Sequence, residues 1–464
     1  MLLGTQRVNG KGVLEIGGCD LVKLARKYGT PLYVLDEDYL RQTCQDYRRA
    51  FESRYANVHI SFSSKAFITA AICRVVDQEG LGVDVSSGGE LHTALHAGVA
   101  PEHIFMHGSN KSRAEMEMAV VNGVGRLGID HLDEIDALQE IAAAREARLN
   151  VLIRVAPGVT ANTHTHIQTG KVDTKFGFSL SGGAAMEAAA RVLKAPNLRL
   201  HGVNCHIGSQ IFDLDPFREA AHMMVDFAAQ VRDSLGVTLA DIDLGGGVGV
   251  HYLNGDAPPS LDEYAEAVTS AVKERCALRS FPLPRLIQEP GRRIVGEAGT
   301  TLYTIGVVKE IPGVRSYVSV DGGLSDNPRP ALYDAKYSAI VANKAQEPST
   351  RTVTVAGKHC ETDTLIADLS VPEVRPGDIL AVQTTGAYNY SMASNYNRLP
   401  RPAAVMVSGG KSELIVRRET LSDLVRCDRV PARLRRGTGE GSESPGGPSD
   451  FAQGRPGSRR GHRH

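Results

Sequence analysis

The length, composition and charge of the chain limit the kinds of protein that it can be. Its 464 residues exceed one ordinary hydrophobic core and indicate two domains, or one barrel and a second domain. Apolar residues make up 42% and charged residues 23%, as is typical of a globular protein. The formal net charge of -1 gives no electrostatic reason to expect nucleic acid or an anionic membrane as a partner.

The N-terminus and the cysteines indicate a cytoplasmic location. The first residues, MLLGTQR, lack the apolar stretch of a signal peptide, and no later segment is long and apolar enough to cross a bilayer. The seven cysteines are scattered without a Cys-x-x-Cys pair, so neither a disulfide framework nor a zinc site is predicted. We therefore expect a reducing compartment and no bound metal.

The N-terminal segment, residues 1–35, ends in an apolar run that predicts a strand. This run, 31–35, is expected to join a β domain that the chain forms later. Asp36 follows as a predicted N-cap, because a helical pattern of apolar residues begins directly after it and extends to Phe51.

Residues 36–295 alternate short β-like runs with amphipathic helical stretches, of which 132–148 and 216–232 are examples. Eight repeats of this kind predict an α/β fold, a TIM-like (β/α)8 barrel in which each crossover helix covers a parallel strand. An open doubly wound sheet is the alternative, although it usually has fewer strands. The predicted strands are 58–63, 81–85, 103–107, 126–130, 150–155, 199–205, 240–244 and 284–288.

The pattern changes after residue 295. Apolar runs at 301–305, 317–320, 352–355 and 404–407 are separated by Gly/Pro-rich turns, so residues 296–429 are predicted to form a mainly antiparallel β domain. Residues 430–464 are rich in Arg, Gly, Ser and Pro and lack aliphatic periodicity, which predicts a disordered tail.

Two predicted strands are followed by groups that suit a phosphorylated cofactor. Lys65 stands at the C-terminal end of its strand, the edge where a barrel of parallel strands presents reactive groups. Residues 245–249, GGGVG, follow another strand, and glycines allow backbone N–H groups to approach an anion closely. The Rossmann pattern GxGxxG does not fit, because Val250 occupies the place of its third glycine.

Two further strand ends carry polar side chains. Glu289 and Arg292 follow the eighth strand, where the carboxylate could contact a ring nitrogen and the guanidinium a phosphate or carboxylate. The alternative is a simple ion pair between them. His206 follows the sixth strand; a lone histidine is commonly structural, but the small residues after it, Gly208 and Ser209, are typical of an anion-binding loop.

From about residue 30 to 425 the chain resembles the fold-type III pyridoxal-phosphate-dependent decarboxylases, the alanine-racemase-like barrel family, and within it the members that act on diaminopimelate. The resemblance rests on nine motifs in the order of the family. They are SSKAF (63–67), DVSSGGEL (84–91), TKFGF (174–178), HIGSQ (206–210), GGGVG (245–249), EPGR (289–292), SDNPRPALY (325–333), KHCETD (358–363) and GAYNYSMASNYN (386–397). The family implies a barrel followed by a β domain, pyridoxal 5'-phosphate as cofactor, and a homodimer with shared active sites.

The resemblance also implies roles for individual residues. Lys65 would bind the cofactor covalently, His206 would stack on its ring, and Glu289 would pair with the pyridine nitrogen. Cys360 would be the general acid and, together with Glu361, would reach the active site of the partner subunit. The cofactor contacts implied are Lys65, Asp84, His206, Ser209, Gly245, Gly246, Gly247, Gly249, Glu289, Gly291, Arg292 and Tyr388. The substrate contacts implied are Arg292, Arg329, Tyr333, Glu361 and Tyr388.

The reaction implied is decarboxylation of meso-2,6-diaminopimelate to L-lysine and CO2, the last step of lysine synthesis. Arg329 could bind the distal carboxylate of this substrate, and Glu361 its distal ammonium. The alternatives are decarboxylation of ornithine, arginine or carboxynorspermidine in polyamine synthesis, and a non-catalytic relative that only binds a partner. Because Lys65 and Cys360 are both present, an enzyme is favoured over the non-catalytic relative.

One segment departs from the family pattern. The family commonly continues Cys-Glu-Ser-Gly-Asp, whereas this chain has Thr362-Asp363-Thr364 after Glu361. The sequence therefore leaves the geometry of this loop open.

Overall fold

The protein is described by a computed structural model for residues 1–159 and 174–435. The N-terminal segment forms a small three-stranded antiparallel sheet and one helix before it enters the main β domain. Its elements are β1 (Arg7–Val8), β2 (Leu14–Ile16), β3 (Cys19–Asp20), α1 (Leu21–Tyr28) and β4 (Leu32–Asp36).

The next part of the chain is a closed barrel of eight parallel strands. In chain order its elements are α2 (Glu37–Glu52), β5 (Val58–Ser63), α3 (Ala70–Gln78), β6 (Gly82–Val85), α4 (Gly88–His96), β7 (Ile104–Met106), α5 (Arg113–Val121), β8 (Arg126–Ile129), α6 (Leu132–Ala144), β9 (Leu149–Ala156), β10 (Phe178–Ser179), α7 (Ala184–Leu193), β11 (Leu198–Asn204), α8 (Asp215–Leu235), β12 (Asp241–Asp243), α9 (Leu261–Leu278), β13 (Arg285–Gln288) and α10 (Arg292–Val295). The strand order is β5-β6-β7-β8-β9-β11-β12-β13, and β13 pairs with β5 to close the ring. The barrel is thereby confirmed, and the open sheet is excluded. Among the described strands, the short β10 pairs with β9 alone and lies outside this ring.

Local sequence explains why the barrel helices begin and end where they do. The Asp36 side chain accepts the Tyr39 N–H at 3.1 Å, so it caps α2 as predicted. The helical stretch predicted at 216–232 is α8 in the structure. Helix α6 stops at Ala144, earlier than the predicted 148, because Glu146 adopts a positive φ of 53° that a helix cannot accommodate.

The β domain follows the barrel and includes the N-terminal strand β4. Its elements are β14 (Gly299–Ile311), β15 (Arg315–Val320), α11 (Arg329–Tyr333), β16 (Ala339–Val341), β17 (Arg351–Ala356), β18 (Thr364–Val371), β19 (Ile379–Val382), β20 (Ala403–Ser408) and β21 (Lys411–Val416). Strand β4 lies between β14 and β20, which confirms that the run 31–35 adds a strand here. The sheet is mainly antiparallel, with parallel pairs only at β4–β20 and β15–β17 among the described strands.

Residues 1–420 form one compact unit, and a second unit begins at Leu421. The described part of the second unit contains α12 (Leu421–Val425) and one 3-10 turn, Ala432–Leu434. Most of the predicted disordered tail, 436–464, lies outside the described residues. Each helix in the described ranges is too short or too polar to span a membrane.

Candidate active site

A cavity of about 470 Å³ lies at the C-terminal ends of the barrel strands, where the β domain also contributes side chains. Nine of the predicted site residues line it: Lys65, Asp84, His206, Ser209, Glu289, Arg292, Arg329, Tyr333 and Tyr388. Gly247 and Gly291 line a narrow recess that adjoins it. The structure thus brings together most of the residues that the motifs single out.

Lys65 is held at the cavity by the end of strand β5. The register between β5 and β6 pairs Ser63 with Asp84, and Lys65 follows in a short 3-10 turn, Ser64–Ala66. Its side chain is 41% accessible and lines the cavity, with Nζ 4.0 Å from the Asp84 carboxylate. Burial acts to lower the Lys65 pKa, but Asp84, and then Tyr388 and Glu289, outweigh burial and raise it. Lys65 is therefore cationic at neutral pH in these surroundings.

Asp84, Glu289 and His107 form a buried cluster beside Lys65. Ser63 donates a hydrogen bond to Asp84 Oδ2 at 2.7 Å, whereas Asp84 Oδ1 is buried and has no hydrogen-bond partner among the described residues. His107 Nε2 contacts Glu289 and lies 3.8 Å from Asp84 Oδ1. Burial and the neighbouring Asp84 raise the Glu289 pKa to about 8, and burial lowers the His107 pKa to about 4.

This cluster fits a cofactor ring that presents an N–H donor. An unpartnered buried carboxylate oxygen next to a second carboxyl can accept that donor and keep the ring nitrogen protonated. The carboxylate and imidazole atoms of the three side chains lie within 4.8 Å of one another, a spacing that could also suit a metal ion. The Lys65 ammonium beside them disfavours a bound cation, because like charges repel. His107 was missed in the sequence; its signal is its position directly after β7, at the same edge as Lys65.

The glycine-rich loop after β12 forms a cradle that side chains would fill. A Cβ on Gly246 would lie 2.3 Å from the carbonyl oxygen of Glu289, and one on Gly247 would lie 2.4 Å from that of Gly208. Gly247 also has a φ of +122°. Arg292 donates from Nε to Ser209 Oγ at 3.1 Å beside this loop. The recess thus fits a phosphate, with backbone and guanidinium donors around it.

The cavity that Lys65 lines also carries two buried guanidinium groups. Arg292 and Arg329 are 4% and 6% exposed, and their hydrogen-bond partners are hydroxyl groups of Ser209, Tyr252 and Tyr337. Among residues 1–159 and 174–435, neither guanidinium forms an ion pair with a carboxylate. The described cavity lining holds five Lys or Arg side chains against two carboxylates, so the cavity selects anionic ligands.

His206 and Tyr388 border the same space. Burial, and next the charge of Lys65, lower the His206 pKa well below its ordinary value, so its imidazole is neutral and can lie against an aromatic ring. Tyr388 has a φ of 66°, and its backbone N–H donates to the Ala66 carbonyl at 2.8 Å, which fixes this β-domain loop beside the Lys65 turn.

Cys360 and Glu361 lie elsewhere on the same chain. Both are exposed, and neither is among the described residues that line the Lys65 cavity. The Cys360 backbone N–H donates to Asn397 Oδ1 at 3.0 Å, and Glu361 accepts from the Tyr396 hydroxyl at 2.6 Å. Their implied role in the site of a partner subunit stays a prediction.

The loop that departs from the family pattern is held by one carboxylate. Asp363, at a φ of 42°, accepts the Leu324 N–H at 2.8 Å and the His359 N–H at 3.1 Å, and its Oδ2 lies 2.5 Å from His359 Nδ1. A Cβ on Gly357 would lie 2.0 Å from this carboxylate, so glycine is needed there. The altered sequence therefore still fixes the segment that carries Cys360 and Glu361.

Comparison with known proteins agrees with this geometry. The model of the pyridoxal-dependent decarboxylase family, pyridoxal binding domain, matches residues 38–296. The chain is 48% identical over 428 residues to diaminopimelate decarboxylase of Bacillus subtilis (strain 168), covering 92% of this chain and 98% of that protein. It is 44% identical over 427 residues to that of Mycobacterium tuberculosis (strain H37Rv), covering 90% and 95%.

Solved structures give the same result. The crystal structure of diaminopimelate decarboxylase from M. jannaschii in co-complex with L-lysine has a TM-score of 0.88 and 34% identity, covering 94% of this chain and all 100% of that chain. Lysine/ornithine decarboxylase of Vibrio vulnificus, at 22% identity and a TM-score of 0.70, shares the fold, covering 84% of this chain and 98% of its own. The chain belongs to the diaminopimelate decarboxylase family of pyridoxal-phosphate-dependent decarboxylases.

Proposed function

We propose that this protein decarboxylates meso-2,6-diaminopimelate to L-lysine and CO2. The observation that carries the proposal is the pair of buried guanidiniums, Arg292 and Arg329, which face the cavity of Lys65 without a carboxylate partner among the described residues. A cofactor phosphate and a second substrate carboxylate would supply the missing negative charge. Ornithine and arginine carry only the carboxylate that is lost, so they would leave Arg329 unpaired in the product.

We assign the following tasks to the residues. Bound pyridoxal phosphate supplies an electron sink for the electron pair left by the departing CO2. Lys65 holds the cofactor through its amine, and Glu289 with Asp84 keeps a proton at the ring nitrogen. His206 orients the ring from one face. Arg329 binds the distal carboxylate, with Tyr333 beside it; its guanidinium lies 5.7 Å from the Tyr333 ring centroid.

We further propose a homodimer in which Cys360 and Glu361 complete the site of the partner subunit. Their exposure on a surface outside the Lys65 cavity supports this arrangement, and so does a surface cavity of about 520 Å³ lined in part by Glu361 and Tyr396. In that site Cys360 would give a proton to the carbon that has lost CO2, and Glu361 would pair with the distal ammonium.

The domain roles and the location are part of the same proposal. Residues 36–295 would bind the cofactor, residues 1–35 and 296–429 would form the β domain, and residues 430–464 would be an appended tail. The free thiol state of all seven cysteines supports a reducing, cytoplasmic location.

The proposed function is tested by the substrate preference of the holoenzyme. We expect release of CO2 and L-lysine in equal amounts from meso-diaminopimelate, with a kcat/KM at least about 30-fold above that for L-ornithine or L-arginine, because a desolvated charge pair is worth roughly 2–5 kcal/mol. The LL isomer of diaminopimelate is the matched control. It carries the same charges, and loss of either of its carboxylates would also leave L-lysine, so a lower turnover of this isomer would report recognition of the D centre rather than of charge. Preference for ornithine would assign the protein to polyamine synthesis instead.

A further inference from the structure

The two buried arginines of the cavity share one hydroxyl group that the scheme above does not use. The Tyr252 oxygen accepts a hydrogen bond from Arg329 Nη1 at 2.8 Å and another from Arg292 Nη1. Tyr252 is 9% exposed and is not among the described residues that line the cavity, so it lies behind the guanidiniums. Its ring centroid is 5.7 Å from the Arg292 guanidinium carbon and 5.5 Å from that of Arg329.

Tyr252 is itself fixed from several sides. Its backbone N–H donates to the Asp256 carboxylate at 2.8 Å, and its carbonyl accepts from Ser338 Oγ at 3.0 Å. Its ring meets Tyr337 edge to face at a centroid distance of 5.3 Å, and Tyr337 donates to Asn389 at 3.0 Å. The oxygen between the two arginines therefore has a defined position before any ligand binds.

Two like charges in one buried wall repel each other unless something holds them. Among the described residues no carboxylate pairs with them, and their other contacts are neutral: Ser209 with Arg292, Tyr337 with Arg329, and the ring of Tyr388 with both, at 4.8 and 5.9 Å. Of these groups, only the Tyr252 oxygen bonds to both guanidiniums. Its removal would let the two cations separate.

We propose that Tyr252 is the positioning residue of the carboxylate subsite: it holds Arg292 and Arg329 side by side as one receptor for the distal carboxylate. The inference rests on the proposed function, because it assumes a substrate that keeps a carboxylate after decarboxylation. L-lysine carries that carboxylate and cadaverine does not. A comparison of the two ligands therefore isolates the contribution of the carboxylate to binding.

The receptor is expected to weaken at alkaline pH. Burial raises the Tyr252 pKa, but the charges of Arg292 and Arg329 outweigh it and lower the pKa below its ordinary value. Two further titratable groups contact Tyr252: Tyr337 at its ring, whose pKa burial raises to about 12, and Asp256 at its backbone. A Tyr252 phenolate would cancel one of the two positive charges, and the remaining charge would attract a carboxylate less strongly.

The test is calorimetric binding of L-lysine and cadaverine to the holoenzyme and to its Tyr252→Phe variant. The variant keeps the ring and removes only the oxygen. We expect lysine to bind at least about 10-fold more weakly while cadaverine changes less than about twofold, since the hydrogen bonds that are lost are to charged groups. Tyr55→Phe is the matched control. Tyr55 is also a buried tyrosine, and it donates to the Pro284 carbonyl at 2.8 Å.

A second measurement compares the ultraviolet absorbance of phenolate in wild type and Tyr252→Phe from about pH 7 to about pH 10. Burial raises the pKa of Tyr28, but hydrogen bonds with Lys27 and Ser412 outweigh it and lower that pKa as well, so the early ionisation that the variant lacks is the one that belongs to Tyr252. Lysine should move that ionisation to higher pH, because its carboxylate takes up guanidinium charge, and cadaverine should not. Y252F binding lysine within twofold of wild type, or lysine leaving the ionisation unmoved, would overturn the role of Tyr252. Wild-type protein that fails to prefer lysine over cadaverine would overturn the proposed substrate, and this inference with it.

Discussion

Glu289 is buried beside a second carboxylate, and this raises its pKa. The free energy of unfolding of the cofactor-free protein should therefore depend on pH through this residue. Its pKa is raised from 4.5 to about 8, chiefly by burial and next by Asp84. Between these two values the unfolded chain has lost the proton and the folded protein keeps it. Stability therefore falls as the pH rises through this window.

The Glu289→Gln variant should not show this decrease in stability with rising pH. We expect urea unfolding of the cofactor-free variant to give a free energy about 1–3 kcal/mol above wild type at pH 8, and no difference near pH 4. Glu297→Gln is the control of opposite sign. Burial raises the Glu297 pKa, but Arg293, Tyr39 and His251 outweigh burial and lower it, so wild type gains stability as the pH rises from acid. The variant lacks this gain and should become less stable than wild type over that range. Parallel pH profiles for wild type and Glu289→Gln would show that Glu289 titrates normally.

Arg329 should decide between substrates. In Arg329→Ala the distal carboxylate loses a desolvated charge-assisted pair, so kcat/KM for meso-diaminopimelate should fall by a factor equivalent to roughly 2–5 kcal/mol. Residual turnover of ornithine should change far less. Arg315→Ala is the control, since Arg315 belongs to the same domain and packs on Tyr317. An equal fall for all substrates would make Arg329 a structural residue.

Some residues of the site could be predicted from the sequence, and others could not. Lys65, Glu289 and Arg292 could be predicted because each follows a recognisable strand and stands in a motif. His107 follows strand β7 but stands in no motif, and Tyr252 has neither signal. Their importance comes from contacts with residues 182 and 77 positions away in the chain. Contacts over such separations depend on how the barrel closes and where the β domain packs.

The glycine loop after β12 is the element on which the phosphate recess depends. Its carbonyl at Gly245 accepts the Glu289 N–H at 2.7 Å, so the loop also fixes the end of the eighth strand. A methyl group on Gly246 would lie 2.3 Å from the Glu289 carbonyl oxygen, and the backbone on both sides would have to move.

Gly246→Ala should therefore lower the affinity for pyridoxal phosphate by at least about 10-fold, measured by titrating the cofactor-free protein and following the visible absorbance. Gly255→Ala should leave the affinity unchanged, because a Cβ there meets nothing within 4 Å. Retained affinity in Gly246→Ala would place the phosphate elsewhere.

Regular elements were more predictable than the loops between them. Apolar alternation located all eight barrel strands to within about two residues, because each is a buried run with helices on both sides. The loop around Asp363 could not be derived, since its shape depends on a carboxylate that enters the space left by Gly323 and Gly357.

Across the assembled protein, the proposal with the widest consequences is that one active site needs two chains. Lys65 lines the barrel cavity, whereas Cys360 is exposed and lies outside the described lining of that cavity. An isologous dimer would create two equivalent sites, each with Lys65 from one chain and Cys360 from the other.

Mixing Lys65→Ala subunits with Cys360→Ala subunits tests this proposal most directly. Each variant alone should be inactive on meso-diaminopimelate. After random exchange about half of the dimers are mixed, and each mixed dimer has one intact site and one site with both defects, so about a quarter of wild-type activity should return. Mass spectrometry of differently tagged subunits confirms the exchange. Complete exchange without any return of activity would contradict a site shared between two chains.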